Sequence, residues 1–207
     1  MGIMDPTYGI LWIPPKPIIN IIQSWKDRLR SVEPDATYLN HPVHCTFFLT
    51  VADMRNEKDI LLAFEYACNL IPVFSIEFLS WHIFKSDLVT GRDTITVAIK
   101  LSEALLQCQK KMAAALLPYK KKSVNYPIEW QGVYQQAYNQ WGFPFVGNHW
   151  LPHISIASVT KKSTEIVNEI TNSKNIPKSE LLTGLSLYRI VDQNHELVKS
   201  SSLRQYL

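Results

Sequence analysis

The chain has 207 residues, 46% hydrophobic and 19% charged, with a formal net charge of +3. That size and ordinary globular balance suit one large domain or two small lobes sharing a core, and the mild charge permits an anionic ligand without demanding one. No apolar run approaches the roughly 20 residues that cross a bilayer.

The N-terminal Met-Gly-Ile-Met-Asp-Pro lacks the basic and apolar stretches of a secretory leader. Pro6 stands where a myristoylation signal needs Ser or Thr. Three cysteines, Cys45, Cys68 and Cys108, lie far apart in apolar runs. An odd, scattered set predicts buried thiols in a reducing compartment, hence a cytoplasmic protein without a membrane partner. The lysines at 110–111 and 120–122 read as a solvated helix end.

Tyr8 to Ile13 is a short apolar run closed by Pro14 and Pro15, and predicts a strand. From Pro17 to Arg30, Ile18, Ile21, Ile22, Trp25 and Leu29 recur at helical spacing behind a proline, the favoured helix opening. Val43 to Val51 predicts a strand and Glu57 to Ile71 a helix. Phe74 to Lys85 and Thr94 to Leu101 predict paired strands around a turn at 86–93. Ser102 to Leu117 predicts a helix with Ser102 as its N-cap and Pro118 as its stop. Residues 120–148 form a long aromatic-rich insert with room for a short helix at 133–140. His149 to Val159 predicts a strand and Ser163 to Ser173 a helix. Leu181 to Val191 and Glu196 to Leu203 predict strands around a turn at 192–194.

The order repeats. After His44 come strand, helix, strand, strand; after His153 the same order follows. A helix precedes each, and Leu79-Ser80-Trp81-His82-Ile83 shares wording with Leu185-Ser186-Leu187-Tyr188-Arg189-Ile190. The chain therefore reads as one bilobed unit over 1–207, with a first repeat at about 8–101, a second at about 102–207 and the insert at about 120–148.

Two short words occupy equivalent places in this repeat: His44-Cys45-Thr46 and His153-Ile154-Ser155, each just after a proline (Pro42, Pro152). On a strand, alternate side chains share a face. Each word thus presents an imidazole and a hydroxyl together and turns its middle residue away. A lone histidine on a strand is ordinarily a packing residue, but a matched pair in equivalent places points to chemistry. With an unperturbed pKa of about 6.5, one imidazole can accept a proton while the other donates one. The hydroxyls of Thr46 and Ser155 can donate to phosphoryl oxygens as charge develops. His44 and His153 are therefore the expected catalytic residues, and Thr46 and Ser155 the expected phosphate-binding ones. With no carboxylate in either word, neither a metal nor a cofactor is expected.

The paired words resemble those of the two-histidine (2H) phosphoesterase superfamily, which includes 2′,3′-cyclic phosphodiesterases and RNA 2′-5′ ligase-like proteins. The stretch Trp150-Leu151-Pro152-His153-Ile154-Ser155-Ile156 carries the likeness best. The first segment, His41-Pro42-Val43-His44-Cys45-Thr46-Phe47, is looser, with cysteine at its middle place. The resemblance implies an α+β fold: a bilobed pseudo-two-fold repeat, an antiparallel sheet in each lobe, helices outside and a central cleft. It implies a metal-independent phosphodiesterase acting on cyclic or 2′-linked bonds of nucleotides or RNA ends. An RNA end-joining or non-catalytic nucleotide-binding module is the alternative, and an interaction scaffold a further one.

A nucleotide or RNA partner would be held in part by base stacking. Candidate substrate-binding aromatics are Trp130, Tyr134, Trp141 and Phe143 of the insert, Tyr8 and Trp12 on the first strand, and Tyr188 in the second repeat. A long insert in a compact domain is often functional, so substrate choice is expected to reside there.

Overall fold

The computed structural model describes residues 5–126, 129–191 and 194–205. Among them lie five α-helices: α1 (Lys16–Val32), α2 (Glu57–Asn69), α3 (Glu103–Leu116), α4 (Gly132–Trp141) and α5 (Thr164–Asn172). The strands are β1 (Thr7–Trp12), β2 (Cys45–Val51), β3 (Phe74–Phe84), β4 (Asp93–Ile99), β5 (His153–Val159), β6 (Ser179–Leu182), β7 (Gly184–Val191) and β8 (Asn194–Ser202).

They form one antiparallel sheet in the order β6-β3-β4-β5-β2-β1-β7-β8. It divides naturally into two four-stranded halves, β6-β3-β4-β5 and β2-β1-β7-β8. The register joins β2 to β5 at a single Cα pair, Cys45 with Ile154, whereas the ladders on either side are long. Each half draws strands from both ends of the chain: His44 leads the strand that pairs with β1, and His153 opens the strand that pairs with β4.

The core follows from the sequence pattern. Ile18, Ile22, Trp25 and Leu29 make the apolar stripe of α1, and Leu105, Met112, Ala113 and Leu116 that of α3; all are buried. They cover the sheet face that carries Tyr8, Ile10, Cys45, Phe47, Val97 and Ile154. The opposite face is left for the site. Ser102 caps α3 by accepting from the Leu105 amide at 3.2 Å, as its position predicts.

Two expectations are corrected. The expected strand 181–191 is two strands: the chain breaks at Thr183, so that β6 pairs with β3 while β7 pairs with β1 and β8. An apolar run alone cannot show that a strand changes partners midway. Pairing in β2 starts at Cys45 and in β5 at His153, later than the expected 43 and 149. Pro42 and Pro152 have no N–H to give a ladder, so the chain enters each strand only past them. The expected turn at 192–194 lies largely outside the described residues; Asn194 already belongs to β8.

Candidate active site

A cavity of about 870 Å³ opens on the sheet face opposite α1 and α3. Its wall includes His44, Thr46, His153 and Ser155, so both words reach one space. Alternation places them there. In each word the outer two residues are half-buried at the cavity, and the middle ones, Cys45 and Ile154, are 1% and 0% exposed in the core. The Cys45–Ile154 pair sets the arrangement. In an antiparallel register it brings His44 toward Ser155 and Thr46 toward His153, with the two histidines on the diagonal.

The histidines are held alike. Nδ1 of His44 lies 2.7 Å from the carbonyl oxygen of Pro42, and Nδ1 of His153 lies 2.6 Å from that of Leu151, two residues upstream in both cases. A carbonyl only accepts, so each Nδ1 carries the proton and donates. Nε2 is then the nitrogen left for a ligand, an acceptor when the ring is neutral and a donor when it is charged.

Burial deep in the cleft pulls both imidazoles below their ordinary value, while the upstream carbonyl opposes the shift. His44 is brought down to about 3, pressed further by His195, His41 and Lys26. His153 is also lowered, but the Asp87 carboxylate works against the fall.

All six histidines of the chain line this cavity. The words single out two of them, and the other four lie outside the pattern. The His41 and His195 ring centres are 4.9 Å apart, and His195 is 5.7 Å from His44. On the other side Phe84 meets the His153 ring edge-on at 5.1 Å, and His82 meets Phe84 at 4.7 Å. The spacing His41-x-x-His44 and the place of His82 on a strand were the available hints. The approach of His195 depends on β8 folding back beside β7, which no local motif encodes.

Of the expected aromatics, Trp130, Tyr134 and Phe143 line the cavity, joined by Tyr126, Phe145 and Trp150. Tyr8, Trp12, Trp141 and Tyr188 do not. On β1 it is Thr7 and Leu11 that face the cavity, so Tyr8 and Trp12 turn to the helix side. There the Tyr8 hydroxyl donates to Glu57 Oε2 at 2.9 Å, and Trp12 packs 6.1 Å from Phe78. Trp141 sits two helical turns past Tyr134, about 10 Å along the α4 axis, and packs on the core. The Tyr188 ring centre is 6.4 Å from that of His195, which does line the cavity. Arg189 is taken up by Glu57 and Glu196, at 2.8 and 2.7 Å.

An antiparallel sheet that joins two half-sheets at a pair of His-x-Thr/Ser words, all four side chains on one cavity, is the arrangement of a 2H phosphoesterase. The chain belongs to that family: residues 14–194 match the 2′-5′ RNA ligase superfamily. No curated protein matches the sequence. Among solved structures it is similar to TT0787 of Thermus thermophilus, with a TM-score of 0.64 at 13% identity over 97% of this chain and 100% of that one. It is also similar to E. coli LigT, solved in complex with 3′-AMP, with a TM-score of 0.53 at 13% identity over 97% of this chain and 99% of LigT. These likenesses establish the fold.

Proposed function

We propose that the protein is a phosphodiesterase that opens cyclic or 2′-linked phosphodiester bonds of nucleotides or RNA ends by paired-histidine acid–base catalysis, with no metal taking part. The observation that carries this reading is the matched presentation of the two imidazoles. Each is fixed by the same bond to a carbonyl two residues back, with Nε2 left for the reaction and a hydroxyl beside it.

In-line displacement at phosphorus needs a proton removed on one side and a proton delivered on the other. Two strands joined at one pair supply imidazoles from two directions. One neutral Nε2 takes the proton of the attacking water, the other delivers a proton to the departing ribose oxygen, and Thr46 and Ser155 donate to the non-bridging oxygens. The aromatic wall formed by Trp130, Tyr134 and Phe145 suits a nucleobase. LigT, crystallised with 3′-AMP, ATP and NADP+, offers a precedent for nucleotides in this fold. The three thiols, all free and buried, fit a cytoplasmic setting, and among the described residues no helix is long and apolar enough to cross a membrane. We read 1–207 as one bilobed domain whose two repeats exchange strands.

The test is incubation of the protein in chelator with 2′,3′-cyclic nucleotides, 2′-5′ oligoadenylate and cyclic dinucleotides. Turnover that disappears in His44→Ala and in His153→Ala supports the reading. Tight binding without turnover would instead mark a binding module, and neither would leave a scaffold.

A further inference from the structure

The wall of the cavity is short of fixed positive charge. The chain has 21 lysines and arginines, and all of them lie among the described residues. Only Lys85 lines the cavity, and its Nζ is paired with Asp93 at 2.7 Å. The same wall carries a carboxylate. Asp87 is fixed there by the Thr94 hydroxyl at 2.6 Å and the Val89 amide at 2.9 Å.

Cations on the elements around the cavity are committed elsewhere. Lys26 of α1 is 0% exposed, and its Nζ donates to the carbonyls of Tyr38 at 2.8 Å and His41 at 2.7 Å. Arg189 is held by Glu57 and Glu196. A second cavity of about 530 Å³ shares Thr7, Val124, Asn125 and Ile190 with the first. Its one lysine among the described residues, Lys122, has Asp5 on the same wall at 3.8 Å. Lys121 beside it is held by Asp5 at 2.8 Å and Asp53 at 3.8 Å. A strand leaving the site in that direction would meet cations already answered by carboxylates.

The wall offers neutral surface instead. Ile83, Phe84 and Val89 line it together with the aromatic residues of the insert. Leu88 and Leu151 also line it and are 69% and 56% exposed, so the rim itself is apolar. The two histidine words supply hydroxyls and imidazoles for one phosphate. Beyond them, among the described residues, no unanswered lysine or arginine waits for another. A phosphate that leaves water without a cation to receive it loses more than it regains. Proteins that track a nucleic-acid backbone line the path with lysine and arginine for this reason. The cavity volume also falls in the roughly 300–1,000 Å³ of small-molecule pockets.

We infer that the site selects a substrate whose only phosphate is the scissile one, carried on an otherwise uncharged body. A nucleoside cyclic phosphate with a free 5′-hydroxyl fits; oligonucleotide ends and nucleotides with further phosphates are disfavoured. The inference rests on the nucleotide phosphodiesterase reading above and narrows it.

The experiment compares ligands that differ by one phosphate, in the full-length protein at pH 8, above the ordinary histidine range. Kinetics set adenosine 2′,3′-cyclic phosphate against its 5′-phosphorylated form and against a pentanucleotide ending in the same cyclic phosphate. Calorimetry sets 3′-AMP against adenosine 3′,5′-bisphosphate and needs no turnover. Each ligand with added phosphate should be handled at least about tenfold worse, a modest share of the cost of an unpaired charge. Added salt should not weaken the pentanucleotide further, since no lysine or arginine is there to release its counterions. Leu88→Lys places a cation at an exposed rim position. It should tighten the bisphosphate about 5-fold and 3′-AMP less.

Equal or better handling of the 5′-phosphorylated ligands by the wild type overturns the inference, as does a Leu88→Lys variant that treats both calorimetric ligands alike. A preference for the pentanucleotide that falls steeply with salt overturns it in favour of a strand-binding groove. If no phosphodiester is turned over, the hydrolase reading falls while the calorimetric pair still decides the selection by charge. If neither calorimetric ligand binds, the inference falls too.

Discussion

Cys45 and Ile154, the middle residues of the two histidine words, are cross-strand partners at the join of the two half-sheets. Both are fully buried. A small side chain at 45 therefore governs the spacing of four cavity residues on the other face. Cys45→Ala should cost about 1 kcal/mol of stability and change kcat/KM by only a few-fold. Cys45→Leu overpacks the join, should cost about 1–3 kcal/mol, and should lower activity on top of that by displacing both words. Chemical denaturation beside steady-state kinetics checks the pair; equal activity in both variants would contradict it.

The hydroxyls are the second expectation. Thr46 and Ser155 stand on the cavity wall next to the opposite word's histidine. Thr46→Val and Ser155→Ala should each lower kcat about 10²–10³-fold, the usual cost of one donor to a developing oxyanion. Binding of an inert nucleotide should change far less. A loss confined to KM would mean that the hydroxyls only dock the ground state.

Burial of the two imidazoles predicts acid sensitivity of the fold. The folded-state values lie below the ordinary 6.5, about 3 for His44. The unfolded chain then takes up protons that the folded chain refuses, so the stability is present above pH 6.5 and declines as pH falls toward the folded value. The slope is at most about 1.4 kcal/mol per pH unit for each ring, less where cavity water screens it. Asp27, Asp53 and Asp93 are held below their ordinary 3.8, and so add to the loss only at still lower pH. Denaturant midpoints between pH 7 and 4.5 should fall, and His44→Asn should flatten the slope by up to one proton.

The same burial bears on the thiols. Cys45 and Cys68 are pushed up to about 12, and Cys108 is raised as well, by loss of solvent. None should react with a thiol reagent in the native protein at pH 8, and all three should react in denaturant. Rapid labelling of Cys45 in the folded state would show that the join of the half-sheets opens.

The parts of this molecule that were legible in its sequence are those with a local signature. Helix α1 announces itself by the spacing from Ile18 to Leu29 behind Pro17, and the two words announce themselves by their match across the repeat. Alternation correctly turned Cys45 and Ile154 inward. What was not legible depends on which strands meet. Nothing in Tyr8 or Trp12 says that β1 shows its odd-numbered residues to the cavity, since that parity is fixed by pairing with β2 and β7. Likewise Lys26 reads as a surface lysine on an amphipathic helix until the loop carbonyls of Tyr38 and His41 close over it.

The insert divides into binding and packing residues, and point substitutions should separate them. Phe143 is 3% exposed, meets Phe48 at 5.9 Å and Phe145 at 5.4 Å, and belongs to the core. Phe143→Ala should cost about 3–5 kcal/mol of stability, as a large buried ring does. Tyr134 is half-buried on α4 and lines the cavity, with its ring 4.9 Å from His149 and 5.9 Å from both Phe145 and Trp130. Its removal takes away a stacking surface worth about 1–3 kcal/mol to a bound base and little of the core. Tyr134→Ala should therefore raise KM for a nucleotide substrate about 5- to 150-fold at nearly constant kcat, shift the melting temperature by only a few degrees, and spare a substrate analogue that lacks a base. If Tyr134→Ala unfolds the protein as readily as Phe143→Ala does, the whole insert is packing and the choice of substrate lies elsewhere on the cavity wall.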